Sequence, residues 1–186
     1  MIIMMARRPS RSAAASALVG VLLLLLSAGG AWAQEVIDRV AAVVAGDLIM
    51  LSDVRAARQL GLVDPGGAAD ADRAVLAALI ERALILDEVD RYAPPEPSAE
   101  AVERALGAIQ TRLGPPEKFA DALSRVGTDE QQLRDRLRQD LRIRAYLDQR
   151  FTADTPEHGQ AMIEAWVTGL RRRAEIVDLY QRGTQP

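Results

Sequence analysis

Few residues in this chain carry side chains that do chemistry on their own. There is one histidine, His158, and no cysteine. A catalytic imidazole needs a nucleophile and an orienting group beside it, and the sequence around His158 offers no such arrangement. It reads as a solvent-facing residue just inside a helix start. The acidic runs Asp87-Glu88-Asp90 and Asp129-Glu130 lack the alternation of a calcium loop, and read instead as a solvated helix face and a negatively charged helix N-terminus. Gly66-Gly67 has neither the preceding strand nor the lysine of a phosphate-cradling loop. The sequence therefore predicts no metal, no cofactor and no catalytic residue. Binding is the chemistry left to it.

Composition narrows what is bound. The chain has 186 residues, 49% of them apolar, enough for one domain with a core. Residues 1–33 stand apart: Arg7, Arg8 and Arg11 precede an apolar run that includes LVGVLLLLL, and small residues follow up to Ala33. This is the pattern of a secretory signal cleaved between Ala33 and Gln34. The alternative is an uncleaved anchor, since residues 13–33 are almost long enough to span a bilayer. Cleavage removes three arginines and no acid from a chain already at net charge −3, leaving it more acidic. A nucleic-acid partner needs a basic footprint, so that class is set aside. The arginines alternate with acids along helices, and Lys118 is the single lysine. An exported chain without cysteine has no disulfide, and after cleavage no stable membrane insertion is expected.

The elements that must position any binding surface follow the hydrophobic periodicity. Residues 36–44 alternate as a strand, Gly46-Asp47 permits a tight hairpin turn, and Leu48-Ile49-Met50 returns. Ser52 is placed to cap a short helix closed by Gly61. Residues 63–67, VDPGG, break the chain. Residues 72–92 form the longest helical pattern, apolar on most sides and therefore central, with Leu79 in its core. After Pro94-Pro95-Glu96-Pro97, Ser98 opens a helix with the stripe Val102, Leu106, Ile109 and Leu113. A short helix carrying Phe119, Leu123 and Val126 ends at Gly127.

Thr128 and Gln131 have capping-box spacing ahead of a helix with Leu133, Leu137, Leu141, Ile143, Leu147 and Phe151 on one broad stripe. Arg144 falls inside that stripe, either laying its stem on apolar surface with its head in water or pairing with a carboxylate of another helix. Thr155-Pro156 opens the last helix, anchored by Trp166. Residues 174–180, AEIVDLY, then read as a strand that needs a partner, and the N-terminal hairpin is the one available. The expected fold is mainly α, with a small antiparallel sheet formed by the N-terminal hairpin and a C-terminal strand.

The stretch EVIDRVAAVVAGDLIMLSDV resembles the start of mature SurA-type periplasmic chaperones. An apolar strand, Val40 to Val44, is followed by a Gly46-Asp47 turn and an apolar return into Ser52-Asp53-Val54. The segments LAALIERALILD and QLRDRLRQDLRIRAYL are similar to helices of that family, so the likeness covers residues 35–151. The Trp166 helix with AEIVDLY resembles the family's C-terminal helix and closing strand. One departure matters: the family carries parvulin-type prolyl isomerase domains between these parts, and here only residues 152–155 lie there.

Beside the signal peptide read over 1–33, the resemblance implies a SurA N-terminal-like chaperone domain over 34–151 and a helix and strand over 156–180 completing it. It implies a periplasmic, ATP-independent chaperone for unfolded envelope or outer-membrane proteins, without isomerase activity. Leu106, Ile109, Leu113 and Phe119, on short proline-flanked helices able to open, are the expected client contacts. The alternatives are a structural envelope protein docked to one stable partner and an inactive member of the prolyl isomerase family.

Overall fold

The computed structural model describes residues 38–181, so the proposed leader and the cleavage position at Ala33 and Gln34 lie outside the described residues. Strand β1 (Val40–Val44) turns through Ala45 and Gly46 into β2 (Asp47–Met50). Both turn residues have positive φ, 51° and 94°. That is the two-residue turn whose twist matches the flanking strands. The turn sits one residue earlier than the expected Gly46-Asp47. A positive φ is unfavourable for alanine, and Ala45 is held in it by its N–H, which donates to the Glu175 carbonyl at 3.0 Å.

Glu175 leads into β3 (Ile176–Asp178), which pairs antiparallel with β1, giving the sheet order β2-β1-β3. The two ends of the described chain therefore close on each other, as the unpartnered AEIVDLY run required. In register, Val43 stands opposite Leu48 on one side and Val177 on the other, while Val44 stands opposite Ile176. Pleating sends these sets to opposite faces.

Helix α1 (Leu51–Gln59) starts directly from β2, with Met50 rather than Ser52 at its N-cap. Ser52 is already inside the first turn. Its hydroxyl donates to Asp38 Oδ2, and its N–H donates to Asp38 Oδ1 at 3.1 Å. The carboxylate just before β1 thus satisfies an orphan donor of the helix start from outside the helix. Asp53 Oδ2 accepts the Met50 N–H at 2.8 Å. At the other end, Gly61 takes φ 61° and lies so close to Arg112 that a Cβ would meet its guanidinium at 3.1 Å. Arg112 donates to the Leu60 carbonyl at 2.7 Å, satisfying a C-terminal acceptor of α1.

The long α2 (Ala71–Tyr92) opens at Asp70, whose side chain accepts from the Arg73 N–H. It touches α1, the sheet and both long helices that follow, which is the central position its wide apolar surface predicts. Helices α3 (Ala99–Leu113) and α4 (Pro116–Val126) start at Ser98 and Pro115. Helix α5 (Glu130–Arg150) is capped by Asp129, with Gln132 completing the box. The sequence holds two overlapping boxes, and the one beginning at Thr128 is displaced by one residue. Helix α6 (Pro156–Arg173) has Thr155 at its cap and proline in its first turn, as the sequence predicts.

These elements enclose two cores rather than one. The first joins the inner sheet face (Ala42, Val44, Ile49) to α1, to α2 through Leu76, Leu79 and Leu84, and to Leu170 of α6. The second lies among α3, α4 and α5, with Leu60 at the end of α1 projecting into it. Leu62 packs against both.

Candidate functional site

The residues with chemical potential serve the scaffold. His158 is exposed, and its backbone N–H donates to Thr155 Oγ1 as part of the α6 cap. Asp87 and Glu88 pair with Arg91, Asp90 with Arg142, and Glu130 with Arg134. Among the described residues there is no group of three or more histidine, cysteine or acidic side chains placed to hold a metal ion. No helix among them is long and apolar enough to cross a membrane.

The expected client contacts are interior. Leu106, Ile109 and Phe119 are 1%, 5% and 5% exposed in the second core, with Leu113 partly buried against it. A client would reach them only if α3 and α4 separated from α5. A stripe at helical spacing meets its own neighbours first, and here only Leu113 keeps part of its surface open. Arg144 is exposed and makes no ion pair among the described residues, so the expected alternative of a carboxylate partner on another helix is not seen there.

Trp166 anchors α6 laterally. It is half-buried, its ring tilted at 53° to Phe151 with centroids 5.2 Å apart and 6.1 Å from Tyr146, whose ring lies 5.6 Å from Tyr92. The Arg150 guanidinium lies within 6 Å of all four ring centroids, a cation–π arrangement joining the ends of α2 and α5 to α6. Tyr146, buried here, belongs to none of the stripes read from the sequence.

Two open surfaces among the described residues bear on binding. The first is the outer face of the sheet. The helices cover only the side of Ala42, Val44 and Ile49, leaving Leu48 (60% exposed), Val43 and Val177 (43% exposed) in one cross-strand row. Leu179, two residues beyond Val177 and 50% exposed, extends it. Sequence alternation carries this information in principle, because Val43 and Val177 are apolar on the face opposite the core. An all-apolar strand, however, does not say which of its faces is covered.

The second is a groove of about 470 Å³ between α1 and α5. Its apolar lining is Ala56, Ala57, Leu60, Leu62 and Leu133, and its polar lining is Asp53 of α1, Thr128 just before α5, and Gln132, Asp135, Arg136 and Gln139 on α5. Arg136 Nε is buried and has no hydrogen-bond partner among the described residues. Burial, and then the neighbouring Arg82 cation, push Arg136 below the ordinary arginine value, with Asp140 and Asp53 opposing. The carboxylates nearby are engaged elsewhere. Asp140 pairs with Arg82 at 2.6 Å, Asp53 holds Met50 N–H, and Asp135 pairs with Arg138.

The fold class is thus mainly helical, with a three-stranded antiparallel sheet built from both ends of the described chain. Compared with models of known families and with curated proteins, the sequence matches none.

Proposed function

We propose that the protein is a periplasmic, ATP-independent holdase that captures apolar segments of unfolded envelope or outer-membrane proteins and performs no catalysis. The observation that carries this reading is the open row of Leu48, Val43, Val177 and Leu179 on a sheet covered by helices on one side only. Contiguous apolar surface left to water marks an interaction site. Four aliphatic side chains cover far less than the roughly 800 Å² per partner of a stable interface, which favours weak, reversible contact. The outer strands β2 and β3 each pair with one strand only among the described residues, so an extended segment is able to add to the sheet at either side. The leader-like residues 1–33 and the resemblance to SurA-type chaperones support export and client class.

The test is light scattering of an unfolded outer-membrane β-barrel protein diluted from urea. Stoichiometric protein should slow aggregation, and the double variant Leu48→Ser/Val177→Thr should lose that effect while folding normally, since both positions are surface ones. Equal aggregation with and without the protein overturns the reading. A pull-down returning one stoichiometric partner selects a structural envelope protein instead. Turnover of a proline peptide is expected to be absent.

A further inference from the structure

We infer that the groove between α1 and α5 binds an extended polypeptide segment through an internal aspartate or glutamate side chain, which Arg136 receives. The guanidinium is the one cationic group among the described residues with a buried nitrogen and neither a hydrogen bond nor an ion pair; Arg142, the other arginine with such a nitrogen, pairs with Asp90 and Glu96. An arginine fork matches a carboxylate in geometry and charge, and a partly desolvated fork gains most from that partner.

The neighbours of Arg136 point to a segment rather than a small acid. Gln132 Oε1 accepts from Thr128 Oγ1 and from the Asp129 N–H, and Gln139 Oε1 accepts from Arg82. With both oxygens occupied, each amide keeps its NH₂ group as a donor. Gln132, Arg136 and Gln139 therefore form a row of donors along α5 beside the apolar lining. Along the helix axis Gln132 and Arg136, four residues apart, are separated by about 6 Å, and Arg136 and Gln139, three apart, by about 4.5 Å. Every second residue of an extended chain advances about 6.7 Å. The first spacing is close to this repeat and the second is about 2 Å shorter, a difference within the reach of a glutamine side chain, so backbone carbonyls on either side of the acidic residue are able to meet the two amides. Because Arg136 has an amide donor on both sides, the chain runs on in both directions, which favours an internal side chain over a terminal carboxylate. Asp135 is neutralised by Arg138, while Asp53 keeps its charge and offsets part of that of Arg136 without pairing with it, so the guanidinium still lacks a hydrogen-bonded carboxylate.

This site is separate from the sheet face and holds whether or not that face captures unfolded chains. The test uses the full mature chain and fluorescent, acetylated and amidated extended peptides, followed by anisotropy. A peptide with one central Glu should bind about tenfold or more tightly than its Gln counterpart. Arg136→Gln should abolish that difference, and Arg136→Lys should restore part of it. The Leu48→Ser/Val177→Thr variant should keep peptide affinity, so failure here leaves the holdase reading intact. Arg136→Met should raise the melting temperature, because the cation lies partly desolvated without a partner. Equal affinity for the Glu and Gln peptides, tighter binding of a Gln peptide bearing a free C-terminal carboxylate, or a lowered melting temperature of Arg136→Met overturns the assignment.

Discussion

Replacing Asp38 by alanine removes one carboxylate and leaves three donors without their acceptor: Ser52 Oγ, Ser52 N–H at 3.1 Å and Arg39 N–H at 2.9 Å. The Arg39 donor is exposed and water replaces it without loss. The Ser52 N–H is part-buried at the start of α1 and resembles a lost cap, about 0.5–2 kcal/mol. The charge beside a helix N-terminus adds roughly 0.3–1 kcal/mol. Together Asp38→Ala should cost about 2 kcal/mol, a fall in melting temperature of roughly 4–8 °C for a domain of this size. Ser52→Ala keeps the amide bond and loses only the hydroxyl, so about 1 kcal/mol is expected.

The double variant should match Asp38→Ala alone, because the hydroxyl bond is already gone once the carboxylate is removed. Urea unfolding followed by circular dichroism measures all three. If Ser52→Ala costs as much as Asp38→Ala, or if the two losses add, Ser52 acts on its own as a cap and the reasoning from Asp38 fails.

Acid should loosen the same region. Burial would raise the Asp38 carboxyl, but the Ser52 hydroxyl and the Arg39 and Ser52 amides outweigh it and hold it below the usual value; at Asp178 the Arg73 guanidinium does so against burial. A depressed folded pKa stabilises fully above the unfolded value of about 3.9 and is lost as pH falls through the folded one. Unfolding midpoints should therefore drop below about pH 4, with a shallower slope in Asp38→Asn/Asp178→Asn. Leu79→Ala, at the centre of the first core, should cost about 2–5 kcal/mol by chemical denaturation. Deleting residues 174–180 should lower thermal stability clearly, since it strips β1 of a partner strand and Ala45 of its acceptor. An unchanged melting curve would refute the end-to-end closure.

Periodicity made the elements legible, because alternation and the apolar stripes depend only on which side chains avoid water. The turn and two of the caps moved by a residue or so, since Thr128 with Gln131 and Asp129 with Gln132 have identical spacing and only backbone geometry chooses between them. Ser52 was a sound cap by type, yet Asp38, fourteen residues earlier, reaches the helix start first. Spacing along one helix cannot reveal such a partner. The second core was hidden for a related reason: the stripe through Leu106 and Ile109 shows that a face avoids water, not whether neighbours or a client cover it. Arg136 was one arginine among many. What sets it apart is that Asp140 lies nearer to Arg82, a fact of packing between α2 and α5.

The pairing of β1 with β3 also orders events in time. Contacts between strands at opposite ends of a chain form late, because the loop that joins them must close first. The β1–β2 hairpin and the helices rely on local contacts, so a chain delivered N-terminus first would carry β1 with a bare edge for most of its emergence. Such an edge invites pairing with any other strand nearby. A nascent copy of this protein would thus be vulnerable to aggregation until its final described strand arrives, and refolding should show a slow phase that the deletion of β3 removes.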